Sequence, residues 1–307
     1  MITEALQQLV GIFSRRFFFN ALLPTFVFTS AVTTTIVLSG WPIGTAFTWW
    51  GRLDILTRLL LLLAYFALVY FLSAAVASQW RNIVRLFEGY LLTTVAHRPI
   101  GKTWHQRRMD KMQNDTSPDP IAAYYLYPPE NNRNRVLPTR LGNILLSGER
   151  YAKDRYGIDT IIFWPRLYPL LPEGFQRDYE ASIIQYQFPL VVAFEASVAT
   201  AICAFTLLLT HASAWTFLAV LFGGAVGAYA AYLLSLSSAI EMAEQQRSAF
   251  DLFRGRLLIA WPAFRDVRDE NDTFGHITDF VVTGFQSDWD VPRDAYVERW
   301  RDTQGPA

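Results

Sequence analysis

One carboxylate in this chain lies where a carboxylate is costly. Glu195 sits inside an apolar run from Phe188 to Leu209, and a charge at the centre of a membrane span costs on the order of 2.5–3.5 kcal/mol on insertion scales. It must therefore face protein or water. In another apolar run Thr25, Thr29 and Thr33 recur at every fourth position, a hydroxyl ridge along one helical face, with Asn20 near its start. Hydroxyls that can replace a cation's water, beside a carboxylate that attracts it, have the chemistry of an ion path. The alternative is a packed bundle. There each hydroxyl bonds its own helix carbonyl, and Glu195 pairs with Asn20, a hydroxyl or an arginine reaching in from the interface.

A second constellation is basic. His97–Lys111, HRPIGKTWHQRRMDK, sets Arg98, Lys102, Arg107, Arg108 and Lys111 against Asp110, with Trp104 among them. Cations around a stacking ring suit phosphates, whether of anionic lipid or of a nucleotide or oligonucleotide. A topogenic, lipid-facing charge patch would use the same residues. Arginine outnumbers lysine 24 to 3, so anion contacts would be forked and planar rather than point charges. His97 and His105 have no cysteine or acidic partner at ligand spacing, and a single cysteine, Cys203, allows no thiolate centre and no intrachain disulfide. No metal and no cofactor is expected. Nucleophile elbows, phosphate-binding glycine loops, His-Glu-x-x-His and dinucleotide fingerprints are all missing, so no enzyme is expected either. Asp288 and Asp290, two apart in an acidic tail, read as solvated surface.

These groups need elements to hold them. With 52% hydrophobic and 18% charged residues, the chain is too apolar for an ordinary soluble domain of its length. Four runs reach the roughly 20 residues that cross a bilayer: about 18–38, 59–77, 188–209 and 215–236. The expected fold is an all-α membrane protein with four transmembrane helices in two hairpins and a helical cytosolic domain. Residues 1–17 form an interfacial helix, 18–78 the first hairpin and 79–187 a cytosolic segment. Residues 188–237 form the second hairpin and 238–307 a cytosolic helical region. Arg15, Arg16, Arg81 and Arg85 at the span ends, and a net charge of +4 over residues 79–187 (15 Lys+Arg against 11 Asp+Glu), place both termini and that segment inside, with Arg58 dissenting. The plasma (inner) membrane is the expected location. The tail from residue 238 carries 8 Arg against 13 Asp+Glu, so the two inner pieces should dock by charge as well as by apolar contact.

Small residues also fall in rows: Ala193, Ser197 and Ala201 in the third run; Gly223, Gly227 and Ala231 in the fourth. Such rows let helices approach closely, within one subunit or between subunits of a homo-oligomer. The helix after span two should run on through Trp80 and Phe87 and end before Pro99. Gln113–Pro120 reads as a loop. In Arg135–Pro172, Thr139 is the expected N-cap of a helix that Gly157 stops. Asp159 then opens a short apolar run ending at Trp164-Pro165. The helix after span four should stop at Trp261-Pro262, and Phe274, Ile277, Phe280 and Val281 predict another short amphipathic helix.

Within that stretch LPTRLGN (Leu137–Asn143), RYGID (Arg155–Asp159) and FWPRL (Phe163–Leu167), with RLFEGYL (Arg85–Leu91) and FDLFRGRLL (Phe250–Leu258), resemble a pattern in multi-span bacterial membrane proteins to which no chemistry is assigned. The chain is also similar to the membrane subunit of Hailong-type anti-phage defence. That resemblance implies a channel-like effector held shut by a DNA oligomer that a partner nucleotidyltransferase makes. No residue role is carried over with it, because no motif ties role to position. The expected function is a homo-oligomeric channel or membrane-perturbing effector gated through its cytosolic domain. The runner-up is a membrane-anchored sensor or scaffold without a permeation path.

Overall fold

The computed structural model describes residues 15–90, 100–114, 119–260 and 270–283. Residues 1–14 of the expected interfacial helix, Arg98, Trp261-Pro262 and the Asp288–Asp290 pair lie outside them. Among the described residues every regular element is a helix and none is a strand. Four helices are long and apolar enough to cross a membrane: Phe18–Gly40, Ile55–Ser78, Glu173–Leu209 and Ala214–Ala260.

The first span enters through a helical turn at Arg15–Phe17 and a π-helical turn at Phe18–Leu22, then continues as α1 (Leu23–Gly40). A short helix, α2 (Ile43–Arg52), occupies the connection to the second span. Its aromatic residues explain it: Trp41 meets Trp49 edge-on at 5.5 Å, and paired indoles suit a membrane–water boundary. The second span, α3 (Ile55–Ser78), is capped by Asp54, whose carboxylate accepts from the Thr57 N–H at 3.0 Å. It does not run on as expected. The chain breaks helical geometry at Gln79 and resumes as α4 (Trp80–Glu88), which gives way at Gly89; the end expected before Pro99 falls in residues 91–99, outside the described residues. Gly89 has φ +87, and a Cβ there would meet the Pro138 ring at 2.6 Å, so the stop requires glycine.

Next come α5 (Ile100–Asn114), α6 (Pro120–Leu126), a 3₁₀ turn at Glu130–Arg135, α7 (Arg140–Tyr156) and α8 (Thr160–Leu167). Of the expected Gln113–Pro120 loop, Gln113 and Asn114 belong to α5 and Pro120 opens α6. Two long helices follow, α9 (Glu173–Leu209) and α10 (Ala214–Ala260), and then α11 (Glu270–Thr283).

The chain divides into two compact units. The membrane unit joins Met1–Phe87 to Ile183–Ser238, and the second unit joins Glu88–Ser182 to Ala239–Ala307, so α9 and α10 each supply residues to both. Within the membrane unit α9 is the central span. Half of its most apolar window is buried, against 17% or less for each of the other spans. Leu190, Ala193, Ala196, Ala199 and Cys203 turn inward, with Val69 and Ser73 of α3 and Ala228 and Ala231 of α10 also buried. Leu63, Phe71, Phe205 and Phe222 stay exposed, as a bilayer solvent allows and water would not.

The second unit has its own core, built around Ile158, Phe163 and Leu167 from the middle of the chain and Phe250, Leu257, Phe274 and Ile277 from the tail. Local signals in the sequence set its frame. The Thr139 hydroxyl accepts the Gly142 N–H at 3.0 Å as N-cap of α7, and Gly157 closes that helix in the left-handed region. Asp159 caps α8 by accepting the Ile161 N–H at 3.1 Å. The apolar run that Asp159 opens folds as α8, which passes through Pro165 to Leu167, beyond the run's expected end, then tightens into a 3₁₀ turn at Tyr168–Leu170. Phe163 and Leu167, one helical turn apart and both fully buried, offset what the proline ring disrupts.

Asn143 explains the LPTRLGN motif. Its side chain is fully buried and closes a local ring: Oδ1 accepts the Leu137 N–H at 2.7 Å, and Nδ2 donates to the carbonyls of Leu137 and Thr139, both at 2.8 Å. The Thr139 hydroxyl donates onward to the Glu88 carbonyl at 2.8 Å, and α7 comes so near that a Cβ on Gly142 would lie 2.4 Å from that same carbonyl oxygen. The motif is a clasp between the end of α4 and the start of α7.

Candidate functional site

In the membrane unit the structure brings Thr25 and Glu195 together. The Thr25 hydroxyl donates to Glu195 Oε1 at 2.5 Å, and both side chains are buried, Glu195 at 8% exposure. Of the partners expected for the acid, it is a hydroxyl that is found. Glu195 Oε2 is buried with no hydrogen-bond partner among the described residues. Asn20 is equally buried, and neither of its amide atoms finds a partner there. Further along α1 the ridge opens outward: Thr29 is half-buried and Thr33 exposed. The span therefore carries a polar edge from a buried acid to an open face.

The small-residue rows divide between two faces. Gly224, not Gly223, makes the close approach inside the unit: a Cβ there would fall on the Thr200 side chain of α9. Ala228, Ala231 and Ser235 continue this buried face. Gly223 and Gly227 lie on the other side of α10 with no atom within 4 Å of where a Cβ would stand. Of the expected packing row, only Ala231 packs within one chain.

In the second unit the basic cluster lies along α5. Met109 and His105, four residues apart, are buried, and His105 Nδ1 shares a 2.9 Å hydrogen bond with the Tyr127 hydroxyl. That seam turns Trp104, Arg107 and Lys111 outward, while Lys102 and Arg108 are half-buried. The Arg108 guanidinium sits 5.2 Å from the Trp104 ring, which is half exposed. Asp110 is engaged bidentately by Arg133 at 2.7 Å, so it does not neutralise this stripe. A stacking ring with cations along one helix face has the chemistry to hold phosphates and bases.

His105 makes a pH prediction. Burial, then the charges of Arg108 and Arg140, lower its pKa from 6.5 to about 4. Between those values an unfolded chain takes up a proton that the folded one refuses, so stability falls as pH drops through this window and is unaffected above it. Acidification from pH 7 to 5 should lower the melting temperature of wild type more than that of His105→Gln. Equal slopes would contradict the assignment.

The sequence reading passed over a second cationic centre. Arg247 of α10 is 1% exposed, the largest fully buried side chain among the described residues. It donates to Glu244 at 3.0 Å, to the Tyr124 carbonyl at 3.0 Å and to the Ser147 hydroxyl at 2.5 Å, and its guanidinium lies 4.2 Å from the Tyr124 ring. Nearby, Asp251 accepts from the hydroxyls of Tyr151 (3.0 Å) and Tyr156 (2.7 Å). Burial, reinforced by Asp251, pushes the Tyr151 hydroxyl's pKa up. A cavity of about 270 Å³ opens beside Arg247, walled by Tyr124, Tyr127, Tyr151 and Pro128. The available signal was the tyrosine-rich YYLY at Tyr124–Tyr127, since a buried arginine needs aromatic and carbonyl partners. Middle and tail of the chain thus dock through these groups and the apolar core. The ion pairs described (Asp110–Arg133, Lys153–Asp159, Glu244–Arg247) each lie within one segment.

No group of three or more metal-ligating side chains occurs among the described residues. Comparison with protein-family models, with curated proteins and with solved structures returns no significant match to the chain.

Proposed function

We propose that the protein is a homo-oligomeric channel or membrane-perturbing effector of the plasma membrane, with the second unit cytosolic and acting as its gate. The observation that carries this reading is the polar edge of α1, which runs from the buried Thr25–Glu195 pair to half-buried Thr29 and exposed Thr33. Exposed hydroxyls on a span are better placed against water or another subunit than against lipid. Around a symmetry axis such edges form a pore wall. Gating is supported by α9 and α10, unbroken helices with residues in both units. The α5 stripe of Trp104, Arg107, Arg108 and Lys111 is the binding face for a nucleotide or oligonucleotide. Its source is a partner nucleotidyltransferase in anti-phage defence, as the resemblance to the Hailong membrane subunit implies.

The Thr25–Glu195 bond favours a second reading. Both groups are satisfied in part inside one chain, which suits a membrane-anchored sensor or scaffold with no permeation path. Thr33→Cys distinguishes the two. Oxidation in native membranes should cross-link Thr33→Cys subunits into disulfide dimers, while a cysteine at lipid-facing Leu63 should not cross-link. No cross-link at position 33 would remove α1 from the subunit contact.

A further inference from the structure

We propose that the membrane unit binds the phosphate-bearing headgroup of an anionic phospholipid, in a cavity of about 320 Å³ at the Arg16 end of its spans. Three walls define it. The π-helical turn Phe18–Leu22 supplies Asn20, the start of α4 supplies Trp80, and α9 supplies Gln187 just before its apolar run. The cavity therefore lies at the polar ends of three spans, the depth at which headgroups sit.

Its polar groups are arranged as for an anion. The Arg16 guanidinium lies 5.0 Å from the centre of the Trp80 ring and donates to Gln187 Oε1 at 2.8 Å, which fixes a fork at the mouth. Arg81 lies against the same ring at 5.5 Å and adds charge. Deeper in, Asn20 is 93% buried, lines the cavity, and finds a partner among the described residues for neither its amide N–H nor its carbonyl oxygen. A buried amide left with neither bond is costly. A π-helical turn at this point is itself a strained device that proteins favour at binding sites. A phosphate diester supplies oxygens to Arg16 and Asn20 Nδ2, and a headgroup hydroxyl donates to Asn20 Oδ1. The remaining walls, including Ala21 and Val191, are apolar and suit the first methylenes of an acyl chain. An acceptor for a hydroxyl beside a cation for a phosphate favours phosphatidylglycerol over phosphatidylcholine, whose headgroup has no donor.

The test uses the full chain in detergent, with native mass spectrometry and thermal melting as readouts. Wild type should retain phosphatidylglycerol in preference to phosphatidylcholine and melt higher with it. Asn20→Leu, which fills the cavity with an apolar side chain and need not impair folding, should lose the preference. Arg16→Gln should weaken phosphatidylglycerol binding about tenfold, the loss of one charge-assisted contact. Equal retention of both lipids, or a preference unchanged in Asn20→Leu, would overturn the proposal. Inorganic phosphate or glycerol phosphate that protects as well as the lipid would show a site for free anions, and would overturn the lipid assignment.

Discussion

Asn143→Leu should unfold the second unit or bring it close to unfolding. The substitution is nearly isosteric, so no large cavity results; what it removes is three hydrogen bonds at once, two of them buried. The Leu137 N–H and the Leu137 carbonyl lose the amide that satisfied them, within a motif whose neighbours Val136 and Leu141 are fully buried. An unmade buried hydrogen bond costs about 1–3 kcal/mol, so the whole effect is on the order of 3–5 kcal/mol. Single domains are marginally stable, and a loss of that size is a large fraction of their total. Melting of the purified protein, followed by amide exchange in α7, should show the transition lowered and α7 unprotected. Ile161→Ala, at a side chain 70% exposed, is the control and should change stability by no more than about 0.5 kcal/mol. An Asn143→Leu protein as stable as that control would mean the clasp does not hold the unit.

The motif residues were visible in the sequence, but their reason was not. LPTRLGN reads as a cap because Thr139 at N-cap and an apolar stripe behind it are local signals. Asn143 satisfying Leu137 across its own turn, and Gly142 making room for the Glu88 carbonyl, depend on where α4 ends. That end depends on a positive φ at Gly89, and no periodicity announces it. The four spans were legible because length and hydropathy are nearly sufficient for a helix in lipid. The partner of Glu195 was not, since a carboxyl on one span could meet Asn20, Thr25 or an arginine, and only packing decides. Arg247 was missed for a related reason. In sequence it is one arginine among 24 in the chain, and only the fold surrounds it with Tyr124, Ser147 and Glu244. Which glycine packs inside the unit was hidden as well: glycines at 223 and 224 are adjacent, and the helix turns only the second toward α9.

Glu195→Gln is expected to have the second large effect, on conduction rather than folding. Glutamine keeps the shape and can still bond the Thr25 hydroxyl, so the bundle should survive. It removes the acid deep within α9, and should thereby remove the cation preference that the proposed channel would have. Thr29→Val removes one hydroxyl from the half-buried part of the ridge and should alter conductance without altering charge selectivity. The direct measurement is of current across planar bilayers under a salt gradient, with purified wild type, Glu195→Gln and Thr29→Val. A cation-selective wild-type current is expected, with a reversal potential that moves toward zero in Glu195→Gln and a changed unitary conductance in Thr29→Val. A wild type that passes no current, with and without an oligonucleotide ligand and its partner enzyme, would contradict the channel and leave the membrane-anchored scaffold in its place.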